Sequence, residues 1–588
     1  MKTVRTVCWV ILVSLCFVAH GRGEDEPLYG NVLDYLPGGY VTDGSVDYRE
    51  QIQKCLDEHA YIYFPGSEDA NAPLIYGATA TLKVRPGSVV EFGPNARIRR
   101  LPDKIGPNFI ELGRRARLIG VIVDGNKYAF WPLLKDRPRE PYSFTVGHAI
   151  VLGGENVIED CVVYNNAGIA FGAWGVSDNK LYRCRAENCG FLEAMGDRYW
   201  AGEHASGDGF IFYDGSHNNI VKDSEAYDCH RWGFVIEARA SNNTFVDCRG
   251  GNIHFRCFGF IDVETDGSGN SLVRCRSNNS NITLMGPHNE MHQCVASHID
   301  AQNASHARVV ACTTTGGPIL VGGTIESLES NPRPSPMVVF NRVFLSRPFD
   351  GGGIRVSCSD GTGIVANNVV YAYQRGAQQA AGIVTHNVGS ERGNQVAYGQ
   401  WDDQIAQFKD GYYLYAHFDR AFLEARKHEW AEKDTRAMLP ALGVAGEPSL
   451  LKVIAGDFPF KADPDDRGVN EQWFDAAKRP ADLSEAPVGT HRPTDHTFGP
   501  LGPEWYFVSI DLPQNLAGKK AYLVFGGVNE HGWVYVNGNL VGENHIWDKA
   551  FHVDVTDVLR AGANDVAIRV ATSSHLVGVH RPITLVVE

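Results

Sequence analysis

The chain has 588 residues, with 63 glycines, 13 cysteines, 6 methionines and a formal net charge of −15. Glycine well above its usual ~7% argues for many turns and against a helical protein. A hydrophobic fraction of 44% excludes overall disorder. The acidic balance leaves no broad electrostatic footprint for nucleic acid or an anionic membrane.

Residues 1–23 read as a signal peptide. Lys2 and Arg5 supply the charged start, Val7 to Ala19 the apolar run, and Gly21 or Gly23 a small-residue cleavage position. The run is short for a membrane span, which needs ~20 residues, and no later stretch is long and apolar enough. The expected location is therefore secreted or periplasmic, with no membrane insertion. Cys8 and Cys16 leave with the leader.

Six of the remaining cysteines hold one phase of a repeat. The segments NVIEDCVVYN, NKLYRCRAEN, NIVKDSEAYD, NTFVDCRGGN, NSLVRCRSNN, NEMHQCVASH, ARVVACTTTG, MVVFNRVFLS and GIVANNVVYA align on Cys161, Cys184, Ser224, Cys248, Cys275, Cys294, Cys312, Asn341 and Asn367. The spacing lies in the solenoid range apart from one long interval, 184 to 224. Each unit pairs short β-rich runs with Gly/Asn/Ser turns, and none carries a helical period. A parallel β-helix fits, with the cysteines as a packed ladder of small buried groups rather than a metal or disulfide set. Cys189 and Cys229 fall five residues after Cys184 and Ser224, so they face each other on adjacent coils and a disulfide between them is open.

The opening NVLDYLPGGYVTDGSVDYREQIQKCLDEHAYIYFPG resembles the start of pectate-lyase-like and polygalacturonase-like right-handed parallel β-helix proteins. LIGVIVDGNKYAFWP, with Asp124-Gly125-Asn126, is similar to their first coils. The resemblance implies a capping helix at about Tyr48 to Glu58 and a solenoid over residues 24–400. The polygalacturonase series Asn-Thr-Asp, Asp-Asp, Gly-His-Gly and Arg-Ile-Lys is absent, which argues against ordinary pectin hydrolysis. Residues 401–443 read as a short helical linker. From 444 to 588, alternating runs such as WYFVSIDL and NDVAIRVAT, with the hairpin signal Asn537-Gly538, indicate an antiparallel sandwich. FKADPDDRGVNEQWF, GWVYVNGNLVGEN and FHVDVTDVLRAGANDVAIRV resemble the sugar-binding domain of family 2 glycoside hydrolases. That resemblance implies a jelly-roll, galactose-binding-like module, with Trp473, Trp505, Trp533 and Trp547 as ring-stacking or core residues. The fold class is all-β throughout.

The long interval places an insertion at residues 191–206, and solenoid insertions go into loops that often build a site. The loop carries Glu203 and His204 and returns through Asp208. Counting back from the ladder puts Phe210/Phe212, Phe234/Ile236 and Ile261/Val263 inward. Alternation then turns Tyr213, Glu237 and Glu264 outward in one column, with Asp262, Arg239 and Asp266 beside them. Phe171 and Ala173 are the expected positions one coil earlier, and Thr283 and Met285 one coil later.

Carboxylates on adjacent coils suit a glycoside hydrolase acting on a polysaccharide or oligosaccharide, with Glu237, Glu264, Asp262 and Asp208 as the catalytic pool and no cofactor. Arg239, Arg231, His204, Glu203, Tyr213 and His230 are the expected substrate contacts. The alternative is a polysaccharide lyase or epimerase. Arg239, His230, His254 or Arg256 would then be the base, and Asp262, Glu264 and Asp266 would hold Ca²⁺. A third class is a glycan-binding protein without catalysis. The sequence sets no oligomeric state. His288, His292, His298 and His306 have no metal-ligand spacing and read as turn or surface residues.

Overall fold

The computed structural model describes residues 29–401 apart from 135–146, 191–206, 252–258, 265–266, 278–279, 323–331, 346–351, 376–377 and 380. It also describes 432–588 apart from 434, 437, 440–441, 445–447, 489–502, 513–515, 517–518, 529–530, 547–549, 572–577 and 580. The signal-peptide reading and most of the expected helical linker lie outside these residues; within the linker, 432–433, 435–436 and 438 are helical.

Three long sheets form the first unit. Each coil contributes one short strand to each in turn, as in Val157–Glu159, Val162–Tyr164 and Phe171–Trp174. We call these sheets A, B and C in that order. Neighbouring coils pair in parallel, so Val157 sits beside Lys180 and Phe171 beside Phe210. This is the parallel β-helix that the repeat predicts. The amphipathic helix Arg49–Glu58 closes the first coils with Ile52, Cys55 and Leu56 buried.

The corner between sheets A and B explains the cysteine column. The first corner residue takes a left-handed backbone, as at Asp160, Arg183, Asp223, Asp247 and Arg274, with φ of 52–55°. Asp and Arg there accept a strained region that favours glycine or asparagine. The second residue then offers a small donor to the carbonyl two residues back. Cys161 Sγ reaches Glu159 O at 3.2 Å, Ser224 Oγ reaches Lys222 O at 3.0 Å and Cys275 Sγ reaches Val273 O at 3.7 Å. Thiol, hydroxyl and amide share the slot because each brings a donor in a small volume. No disulfide is formed among the ten described cysteines, so the open pairing of Cys189 with Cys229 is not made. At the last coil the ladder position is Asn368 rather than Asn367. Asn341 pairs through its backbone N–H with Asn368 Oδ1 at 2.9 Å, and Asn367 is the left-handed residue, with φ of 56°.

The corner between sheets C and A holds a second column, Asn156, Asn179, Asn219, Asn243, Asn270 and Asn289, all fully buried. From Asn179 onward each Oδ1 accepts from the asparagine one coil earlier, while Asn156 Oδ1 accepts from Gly153 N at 2.7 Å. Asn219 N and Nδ2 donate to Asn243 Oδ1 at 3.0 and 2.9 Å. Asn243 N and Nδ2 donate to Asn270 Oδ1 at 2.9 and 3.2 Å. The polar groups of the bend are thereby paired without water.

The second unit is an antiparallel sandwich of a four-stranded and a six-stranded sheet. Asn537 and Gly538, with φ of 48° and 83°, form the tight turn between His531–Val536 and Asn539–Asn544. Both central residues need positive φ, which is why Asn-Gly marks the turn. The FKADPDDRG segment folds beneath Trp505. Asp463 accepts from Arg467 N, Gly468 N and Trp505 Nε1, at 2.7, 2.8 and 3.1 Å. A Cβ on Gly468 would lie 2.4 Å from Trp505 Nε1.

Candidate functional site

The inward residues of sheet C fall where the count from the ladder puts them. Phe210, Phe212, Phe234, Ile236, Ile261 and Val263 are all buried, with Phe210 and Phe234 stacked at 4.8 Å. One coil earlier the count slips by a residue. Phe171 and Ala173 pair with Phe210 and Phe212 and face inward, so Gly172 and Trp174 hold the outward positions. The cause is the turn from sheet C to sheet A, which is one residue shorter on that coil, 175–179 against 214–219 on the next. Thr283 is the outward neighbour of Asp262, as expected.

The insertion leaves and re-enters at one point. A Cβ on Gly190, whose φ is +79°, would lie 2.7 Å from Gly207 Cα and 2.6 Å from His230 Cβ. Only glycines allow the two stems and His230 to pack this closely. Glu203 and His204 lie outside the described residues, as do His254, Arg256 and Asp266. The next residue after the stem, Asp208, is fully buried.

Arg231 gathers the carboxylates of three coils. Its Nη2 is 2.6 Å from Glu237 Oε2 and 3.5 Å from Glu264 Oε1, and its Nη1 is 3.4 Å from Asp208 Oδ2. A second bond, Nη1 to Glu237 Oε1 at 3.3 Å, makes the Glu237 pairing bidentate. Asp208 also accepts the Trp232 backbone N–H at 3.1 Å. Arg231 is thus engaged inside the protein rather than held out for substrate. Burial works against its charge, but Asp208, Glu237 and Glu264 outweigh that and hold it above its ordinary value.

One guanidinium does not offset four carboxylates. Burial, followed by the proximity of Glu237, pushes Asp208 up to about 6. Burial lifts Asp262 to about 7 against the pull of Arg231, with Glu237 and Asp208 adding to the rise. Burial and then a hydrogen bond with Glu237 raise Glu264 to about 8. Glu264 remains 41% exposed, whereas the other three are buried. The protein therefore presents to solvent a carboxyl that keeps its proton at neutral pH.

The remaining expected contacts divide. Tyr213 stands in the outward column beside Glu237 and is 37% exposed. His230 is buried against the insertion stems. Arg239 turns away to an exposed pair with Asp214 at 3.1 Å. Of the calcium set, Asp262 is buried and Glu264 lies 3.5 Å from Arg231, while Asp266 is outside the described residues. In the sandwich, Trp473 and Trp505 are core, and Trp533 lies under the Arg569 guanidinium at 4.2 Å. Trp547 lies outside the described residues.

Comparison with known proteins divides the chain in the same way. Residues 143–270 match the right handed beta helix region, which sets the hand of the solenoid and covers the carboxylate cluster. Residues 483–578 match the sugar binding domain of glycosyl hydrolases family 2. A β-glucuronidase of Paenibacillus borealis is 29% identical over 118 residues, 19% of this chain and 19% of the relative. The chain therefore spans about a fifth of the length of that curated relative. Among solved structures, the Ruminococcus gnavus β-glucuronidase is 18% identical, with 24% of this chain and 29% of that chain covered and a TM-score of 0.22. A β-glucuronidase of uncultured Clostridium sp. is 24% identical over 24% of this chain and 30% of that chain, also with a TM-score of 0.22.

Proposed function

We propose that the protein is an exported glycoside hydrolase whose reaction centre is the outward carboxylate cluster of sheet C. The observation that carries this is Glu264, half-exposed and protonated at neutral pH, on the same strand face as Asp262. Glu264 donates its proton to the glycosidic oxygen as the bond to the anomeric carbon breaks. Asp262 takes a proton from the water that attacks that carbon. The sugar-binding match of the sandwich supports a glycan substrate.

The geometry favours this pair over Glu237 with Glu264. Those two are hydrogen-bonded to each other and share Arg231, which is closer than either glycosidase class needs. Asp262 lies on the strand Gly259–Val263 and Glu264 directly follows its end, so the two carboxyls are not held on one shared cation in the way that Glu237 and Glu264 are. Glu237 and Asp208 then position Arg231, and Glu237 keeps Glu264 protonated.

A panel of neutral and uronic polysaccharides, read for new reducing ends and for absorbance near 232 nm, tests the reading. Reducing ends without that absorbance are expected, since hydrolysis makes no double bond. kcat/KM should rise as Asp262 loses its proton through about 7 and fall as Glu264 loses its own through about 8. Glu264→Gln should lower kcat by about 10²–10⁴-fold and remove the alkaline limb. Full activity of both Glu264→Gln and Asp262→Asn would dismiss the site; 232 nm absorbance would make the protein a lyase.

A further inference from the structure

A second feature lies on a different face of the solenoid. At the corner leading into sheet A, His288 and His306 occupy successive coils with backbone φ of 58° and 52°. Their rings stack at 4.4 Å and 6°. The stack then stops, because the next coils bring Ser335 and Thr362, joined through their hydroxyls at 2.5 Å. Below this row runs an in-register column of strand residues, Glu290, Arg308, Met337 and Ile364. Between row and column is a groove of about 380 Å³.

The groove follows the solenoid axis over four coils, roughly 14 Å at ~4.8 Å per coil. Its floor is aliphatic at Pro336, Met337 and Ile364, and hydroxyls line one edge. Glu290 and Arg308 face each other at 3.9 Å, so the lining carries one charge of each sign. Parallel stacked imidazoles cannot aim their in-plane nitrogens at one point, so the pair is not a metal site. They form instead a flat wall that lines the groove and gives way to Ser335 on the next coil.

We propose that this groove is a second saccharide site, which holds a linear neutral oligosaccharide along the solenoid axis away from the cleavage centre. One sugar ring packs against the imidazole wall at His306. Its hydroxyls meet Ser335, Thr362 and the planar Glu290 and Arg308 groups, and its C–H face lies over Met337. Balanced lining charge selects neutral sugars over uronates. The inference rests on the glycan reading only for the chemistry of the ligand.

The test is calorimetric binding of cellohexaose, xylohexaose, mannohexaose and hexagalacturonate to the full Glu264→Gln chain, in which no probe is consumed. At least one neutral probe should bind with a component that His306→Ala weakens by about three- to tenfold, the size of one lost ring contact. Thr362→Trp, which fills the groove, should remove that component. Hexagalacturonate should lack it. If no neutral probe binds, or if both variants bind as the parent does, the proposal is overturned. His306-dependent binding without any cleavage by the wild type would leave this site standing and remove the hydrolase reading. Cleavage without His306-dependent binding would do the reverse.

Discussion

Two columns run along the same coils and behave in opposite ways. At the corner between sheets C and A, asparagines repeat from coil to coil, and each accepts from its neighbour. On the outer face of sheet C, Glu237 and Glu264 repeat in the same fashion, and Glu237 makes Glu264 harder to ionise. The spacing is common to both; the chemistry of the side chain differs. An amide both donates and accepts, so stacking closes its hydrogen bonds. A carboxylate only accepts, so stacking needs a shared proton or a cation such as Arg231. A solenoid thus offers a simple means of shifting pKa values: repeat an acidic residue on two coils.

The largest effect that separates the columns should come from Arg231→Met. Removing the guanidinium leaves Asp208 and Glu237 buried without their counter-charge, at a cost of about 3–5 kcal/mol. The loss should depend on pH. Asp208, Asp262 and Glu264 have folded values raised to about 6, 7 and 8, above unfolded values near 4. Such groups stabilise the fold fully below pH ~4, and that contribution fades as pH rises through the folded values. Urea midpoints of the variant should therefore fall further below wild type at pH 8.5 than at pH 5. An equal deficit at both would mean that the cluster is not held by charge.

Asn243→Ala attacks the other column. It strands the Asn219 backbone N–H and amide, whose acceptor is Asn243 Oδ1. Each orphaned buried group costs about 1–3 kcal/mol. No ionisation is involved, so the urea deficit should be the same at pH 5 and pH 8.5. A pH-dependent deficit here would erase the distinction between the columns.

How far each column was legible in the sequence follows from their physics. The cysteine phase set the register, because one small buried slot recurs at one corner, and the register placed Glu237 and Glu264 in one outward column. The asparagine column opens six of the aligned segments, from NVIEDC to NEMHQC, yet asparagine is so common at turns that its recurrence read as turn composition. Arg231 is expected from the sequence to bind substrate; its capture depends on the reach of its side chain across the strand Trp232–Ile236 to Glu237 and to Asp208 and Glu264 on the coils either side, which spacing alone does not encode. Asp262 as partner of Glu264 required the hydrogen bond between Glu237 and Glu264, a matter of side-chain geometry. The slip at Phe171 and Ala173 comes from a turn one residue shorter than that of the next coil, 175–179 against 214–219, which a fixed count from the ladder cannot register.

The smallest effect tests why cysteine holds its own ladder. Cys248 Sγ reaches the carbonyls of Val246 at 3.6 Å and Val221 at 3.5 Å. Ser224 already fills the same slot one coil earlier and donates to Lys222 O. If the slot asks for a small donor, Cys248→Ser should cost under about 1 kcal/mol, because a stronger hydrogen bond offsets the poorer burial of a hydroxyl. Cys248→Val keeps the apolar volume and removes the donor, so it should cost more, about 1–3 kcal/mol. The opposite ranking, with valine tolerated and serine costly, would mean that the thiols act as packing alone. The corner carbonyls would then be satisfied by other groups, and the presence of Ser224 and Asn341 in the ladder would lose its explanation.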